Sequence, residues 1–260
     1  MRFARCSLAL VLLAAVAAQA VVAQSQAGSE AQPPLPQDPG KLMLLAAQQN
    51  GLEGPGMHPW YIHATWQIDA WQNQPAMQGA FEEWWSGPEN YQAVYSAPGF
   101  RQALVVTPHG SSTSGNAQFP DPVLRLIDPL LGSPLPSAAA MQSIHFTNEN
   151  GKDKKVKLRC AGAASADPRR PSLAGTDLWQ ISDYCFVGDL PAIRMEAAPN
   201  LKVVFNSVVQ FQGRYLAESI QIARKGLPTL EVHVDDVHTM EAIPAAPPRE
   251  KPLEPRPARR

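Results

Sequence analysis

From Trp60 to Ala70 apolar and polar residues alternate without a break, with Trp60, Ile62, Ala64, Trp66, Ile68 and Ala70 on one side and Tyr61, His63, Thr65, Gln67 and Asp69 on the other. A period of two gives each set its own face of an extended strand. A strand with one apolar face is stable only beside other strands and under a covering layer. This stretch therefore commits the surrounding chain to a sheet.

The neighbours come at short intervals. Met77 to Ser86 reads as a second strand carrying Phe81, Trp84 and Trp85. Tyr91 to Ala97 and Phe100 to Thr107 follow, parted by Gly87-Pro88-Glu89-Asn90 and Pro98-Gly99, which have the composition of turns. Strand patterning resumes at Ile144 to Phe146 and Val156 to Cys160, with Asn148 to Asp153 read as the hairpin turn between them. After a long loop, Ala161 to Thr176, strands are expected at Asp177 to Val187, Ala192 to Ala197, Leu201 to Gln212, Arg214 to Arg224 and Thr229 to Met240. Connections of two to four residues make neighbours antiparallel. The expectation is a mainly β fold of about ten strands: one curved antiparallel meander, a half-barrel or nearly closed barrel, with a few short covering helices.

Helical signals are few. Asp38 caps and Pro39 opens a helix over Lys41 to Asn50 that Gly51 stops. Val123, Leu124, Ile127, Leu130 and Leu131 have helical spacing interrupted by Pro129, and a further short helix is expected from Pro136 to Gln142. The Ser/Gly-rich stretch His109 to Gly115 reads as a surface loop.

The two ends differ from the body. Arg2 and Arg5, the apolar stretch Leu8 to Ala18 and the small-residue sites Ala18-Gln19-Ala20 or Val21-Val22-Ala23 make residues 1–23 a secretory signal. No later apolar run is long enough to span a bilayer, so a periplasmic protein of a bacterial envelope is expected. Ten of the 26 prolines fall in residues 24–40 and 244–260, the first a Pro-rich linker and the second a basic tail with five Lys and Arg against two Glu. That leaves residues 41–243 as the folded domain. The tail is either a solubilising end or a contact for an envelope protein or an anionic surface. A net charge of −1 with 17% charged residues excludes nucleic-acid binding driven by bulk charge.

Cys6 leaves with the signal. The remaining pair, Cys160 and Cys185, in an exported chain reads as a disulfide; closing a loop of about 25 residues is worth roughly 3.5 kcal/mol in the chain-entropy model.

No catalytic set emerges. Glu82 and Glu83 are adjacent on a strand and face opposite ways, and no Gly-x-Ser-x-Gly elbow or phosphate-binding loop is present. His233 and His238 point to opposite faces unless a bulge intervenes. His233 with Asp235, and His238 with Asp236, share a face but offer only two ligands each. No metal and no cofactor is assigned. The unusual feature is aromatic: Trp60, Trp66, Trp71, Trp84, Trp85, Tyr91 and Tyr95 fall within 36 residues. Trp60, Trp66, Phe81, Trp84, Trp85, Tyr91 and Tyr95 are the candidate lining of an apolar cavity for an acyl chain; the competing reading makes them core beneath the helices.

An N-terminal helix, a Trp-rich antiparallel meander, a helical insert after the fourth strand and a second meander together resemble the periplasmic lipoprotein-carrier (LolA-like) half-barrels. The stretches Gly79 to Tyr91 and Phe211 to Ala217 also look like secreted N-terminal domains of bacterial TonB-like proteins. The resemblance implies a half-barrel closed by helices over an apolar cavity that carries or senses a lipid-like group, and it assigns no individual residue a role. The expected function is that of an exported, non-enzymatic envelope protein binding a lipid or acylated ligand. The alternative is an interaction or scaffold module acting through its basic tail.

Overall fold

A computed structural model describes residues 34–116, 118–153, 156–165 and 181–244. The signal, most of the Pro-rich linker and the tail beyond Pro244 lie outside these residues, as does most of the loop before the second cysteine.

The strands are β1 (Trp60–Ile68), β2 (Met77–Gly87), β3 (Asn90–Ala97), β4 (Phe100–Thr107), β5 (Gly110–Gly115), β6 (Ile144–Asp153), β7 (Val156–Ser165), β8 (Ile181–Val187), β9 (Ile193–Ala198), β10 (Leu201–Phe211), β11 (Arg214–Arg224) and β12 (Leu230–Thr239). They form one antiparallel sheet in the order β5-β4-β3-β2-β1-β12-β11-β10-β9-β8-β7-β6. The sheet is open: β5 and β6 are its two edges. The chain enters at the middle with β1, meanders outward to β5, crosses to the opposite edge and meanders back until β12 pairs with β1.

That crossing explains where the helices go. Residues between β5 and β6 must pass from one edge to the other, and they do so as a 3-10 turn (Pro122–Leu126), α2 (Ile127–Gly132) and α3 (Ala138–Met141). The earlier helix, α1 (Pro39–Gln49), carries the Asp38 cap, whose carboxylate accepts the Lys41 N–H at 2.8 Å. Val123, Leu124, Ile127, Leu131 and Met141 of the crossing join Leu42, Met43 and Ala46 of α1 in one apolar core on the sheet's inner face. Leu35 belongs to the same core, and Arg159 donates to the Pro36 carbonyl, so the packed body begins before Lys41. Asn50, buried at the end of α1, donates to the Ala46 and Pro191 carbonyls at 2.7 Å each and accepts the Ile193 N–H at 2.9 Å.

Among the described residues there are twelve strands where about ten were expected; Ala161 to Ser165, expected in a loop, continue β7 beside β6 and β8, and two further corrections lie at the edges. His109 to Gly115 is not a loop: its Ser/Thr/Gly residues pair with β4 as β5, exposed throughout. Asn148 to Asp153 is not a turn but the outer half of β6, also largely exposed. An edge strand with no face to bury shows no alternation, and polar edges discourage pairing with other chains.

For the other strands the expected bounds hold to within a residue or two, while β8 is described from Ile181, its expected start at Asp177 lying outside the described residues. At Phe211-Gln212-Gly213-Arg214 the two central residues both have positive φ, 49° and 78°, which matches a two-residue hairpin to the twist of β10 and β11. Cys160 and Cys185 stand opposite one another in the β7–β8 register and are bonded. With Leu158 and Met195 they form a small cluster on the outer face. No helix among the described residues is long and apolar enough to cross a membrane.

Candidate functional site

The register of β1, β2 and β3 stacks their inward residues in rows. Trp60 lies opposite Trp85 and Trp85 opposite Tyr91; Ile62 lies opposite Glu83 and Glu83 opposite Ala93; Ala64 lies opposite Phe81 and Phe81 opposite Tyr95. Trp60 and Trp85 are stacked with centroids 5.7 Å apart, and Phe81 and Tyr95 are tilted at 4.8 Å. Trp60 donates its indole N–H to the Leu52 carbonyl at 3.0 Å, tying the sheet to the segment after α1. Trp66 packs against Gly79 across the strand pair, where a Cβ would come within 2.2 Å of the indole ring.

Of the seven candidate lining residues, Trp60, Trp66, Phe81, Trp85 and Tyr95 are brought into one buried cluster, and Tyr91 packs at its margin. Trp84 is not among them. Adjacent strand residues face opposite ways, so Trp84 is on the outer face with Val94 and Ala103, beneath Tyr61, Met240 and Ile243. The chain just past β12 is pinned there: Gln92 donates to the Pro244 carbonyl at 2.9 Å.

The covering helices pack directly onto the inner face. A cavity of about 10 Å³, enough for one water-sized body, remains between the end of α1, α2 and β9 to β11, bounded by Asn50, Leu131, Ile193, Phe205 and Tyr215. An organic ligand of ordinary size needs roughly 300 Å³ or more.

At the margin of the same core is a group that the sequence did not disclose, only Glu83 of it fully buried. Glu53, just after α1, Glu83 on β2 and Asp128 on α2 each bring a carboxylate oxygen within 4.8 Å of the others. Glu83 is fully buried, and neither of its oxygens has a hydrogen-bond partner. Burial pushes the Glu53 carboxyl up to about 7, the Asp128 charge adding to it, and burial lifts Asp128 to about 6. Glu83 is driven well above the usual carboxylate range by burial first, then by Asp128 and Glu53. The Tyr95 hydroxyl beside them is raised by burial and by the nearby carboxylates, and a hydrogen bond from the Asp128 backbone opposes that rise. Glu82 does face away, accepting the Tyr61 hydroxyl at 2.7 Å, as alternation requires. The sign of the site was a charge at an inward position between Phe81 and Trp85; its partners, far off in sequence, carried none.

On the outer face β12 does contain a bulge. The register shifts between His63 and Ala64, leaving Asp235 without an opposite residue. Asp235 then lies 3.4 Å from the His63 Nδ1 and 3.9 Å from the His233 Nε2, while His238 meets Asp236 at 3.0 Å.

No family model and no curated protein matches the sequence. Solved structures do. A LolA superfamily protein from Nitrosomonas europaea is 9% identical with a TM-score of 0.50, covering 79% of this chain and 94% of its own. A DUF1329 family protein from Desulfovibrio piger is 8% identical with a TM-score of 0.52, covering 79% and 93%. At such identities the likeness is one of fold: this chain has the LolA-like fold.

Proposed function

We propose that this chain, with its LolA-like fold, is an exported, non-enzymatic envelope protein that carries an acyl-type apolar group between its sheet and its covering helices. The observation that carries this reading is the inner face of β1 to β3. Trp60, Trp66, Phe81, Trp85 and Tyr95 are gathered on one apolar surface, and part of its cover is a crossing segment of short helices. In the arrangement described, that cover fills the space itself. An acyl chain enters by displacing it, and burial of the chain replaces burial of helix residues at the same ~25 cal/mol per Å². An exchange balanced in this way is reversible, as delivery requires. Export rests on residues 1–23.

The test is tryptophan quenching by fatty acids brominated along the chain. Saturable quenching that is reduced when Trp60 or Trp85 is replaced by Phe, but not when Trp84 is, is the expected result. An absence of quenching at concentrations below micelle formation would sink the proposal.

A second reading, an interaction module working through the basic tail, is favoured by the pinning of Met240 to Pro244 on the outer face, which fixes where the tail departs. Removing residues 245–260 separates the two: loss of envelope association with acyl binding intact favours the module.

A further inference from the structure

The geometry points to a divalent-cation site formed by Glu53, Glu83 and Asp128; we infer that it takes a hard ion of calcium size and ties the covering helices to the sheet. Three segments that are otherwise separate converge there: the chain after α1, the middle of β2 and the first turn of α2. Their oxygens lie within 4.8 Å of one another, a span that a cation with ligands at roughly 2.3–2.6 Å bridges. The donors are all carboxylate oxygens, which suit calcium, magnesium or manganese and not the softer metals that prefer sulfur or imidazole. Among the described residues no Lys, Arg or His forms an ion pair with any of the three.

A separate observation points to a ligand. Both Glu83 oxygens are sealed from solvent and without a hydrogen-bond partner, although the backbone could have placed an apolar residue at this inward position. A buried carboxylate left in that state is expensive unless a proton or a cation meets it, and a cation can serve all three groups at once. Room is kept for the group as well. Gly132 ends α2 against Glu53, and a Cβ there would stand 2.6 Å from the Glu53 Oε1. The Glu53 N–H donates to the Gly132 carbonyl at 2.9 Å, so the loop and the helix end are already joined where the ion binds.

The proposal does not depend on acyl carriage and is tested with the metal alone on the full chain. After removal of divalent ions with EDTA, CaCl2 and MnCl2 are titrated calorimetrically, and melting is followed with and without each ion. Heat of binding and a melting temperature that rises with ion concentration are expected. E83Q and D128N are expected to weaken binding roughly tenfold or more by removing a charged donor. E82Q, on the opposite face, is expected to bind as the unaltered chain does. In EDTA, E83Q should melt no lower than the unaltered chain, since it removes a buried ionisable group; E53Q serves in its place if E83Q does not fold. Neither heat nor stabilisation at millimolar ion, or binding undiminished in both E83Q and D128N, would overturn the assignment.

Discussion

Trp84 and Trp85 are neighbours in sequence on opposite faces of one sheet: Trp85 stacks on Trp60 beneath the helices, and Trp84 lies outside beneath Met240 and Ile243. Each face of β2 therefore has its own tryptophan with its own cover, and substitutions at the two positions have separable consequences.

Trp60→Ala removes the indole that stacks on Trp85 and donates to Leu52, and is expected to destabilise the fold by about 3–5 kcal/mol, the range for truncating a large buried aromatic residue. Urea unfolding followed by circular dichroism measures it. A loss below about 1 kcal/mol would mean that the inner face is not packed as described.

Asn50→Ala leaves the Ile193 N–H and the Pro191 carbonyl without their partner. A buried unpaired group costs about 1–3 kcal/mol, so a loss of roughly 2–4 kcal/mol is expected. Faster amide exchange at Ile193 than at residues of β2 would locate the effect.

Arg224 holds Asp121, the cap of the 3-10 turn, with its Nη2 at 3.2 and 3.1 Å from the two carboxylate oxygens. Arg224→Met should cost only about 1–3 kcal/mol globally but loosen the crossing segment. Limited proteolysis should then cut within residues 122–135 before it cuts the strands; an unchanged cleavage pattern would count against that anchoring.

Much of this was legible beforehand because burial imposes a pattern. Trp60 to Ile68 has one face in the core, and alternation marked its start at Trp60 and overran its end by two residues, to Ala70. Gly110 to Gly115 buries nothing, so β5 left no trace in hydropathy and is defined by hydrogen bonds to β4 alone. That Trp60, Trp66, Phe81, Trp85 and Tyr95 gather on the inner face was visible for the same reason that β1 was, while the parity of Trp84 already put it outside. Glu53 and Asp128 were not visible, because their nearness to Glu83 is made by the crossing of the chain over the sheet and by no local spacing.

Glu196 is buried, accepts the Ser182 hydroxyl at 3.1 Å, and is pushed up to about 7 by that burial. The folded chain holds this proton more tightly than the unfolded chain, whose value is near 4.5. Its contribution to stability is therefore complete below about 4.5 and is lost as pH rises through 7, in total about 3 kcal/mol. Glu196→Gln should remove this component. Denaturation midpoints of both proteins near pH 5 and pH 8 give a double difference from which the other carboxyls cancel, and a double difference of zero would refute the prediction.

Cys160 and Cys185 should show no reactive thiol under oxidising conditions. Reduction should lower stability by roughly 3.5 kcal/mol in the chain-entropy model. Thiol titration with and without denaturant, then a melt in reductant, checks both statements.

The pairing of β1 with β12 at the centre of the sheet has a further consequence, in the order in which the chain is made. The strands β1 to β5 form local hairpins as they emerge, and so do β6 to β12, but the second partner of β1, β12, is the last of the described strands to be synthesised. Until Leu230 to Thr239 arrives, the most tryptophan-rich part of the sheet has one raw edge and an incomplete core. The β1–β12 ladder can form only after Thr239 has emerged, and in the interval that edge depends on whatever shields it from other chains.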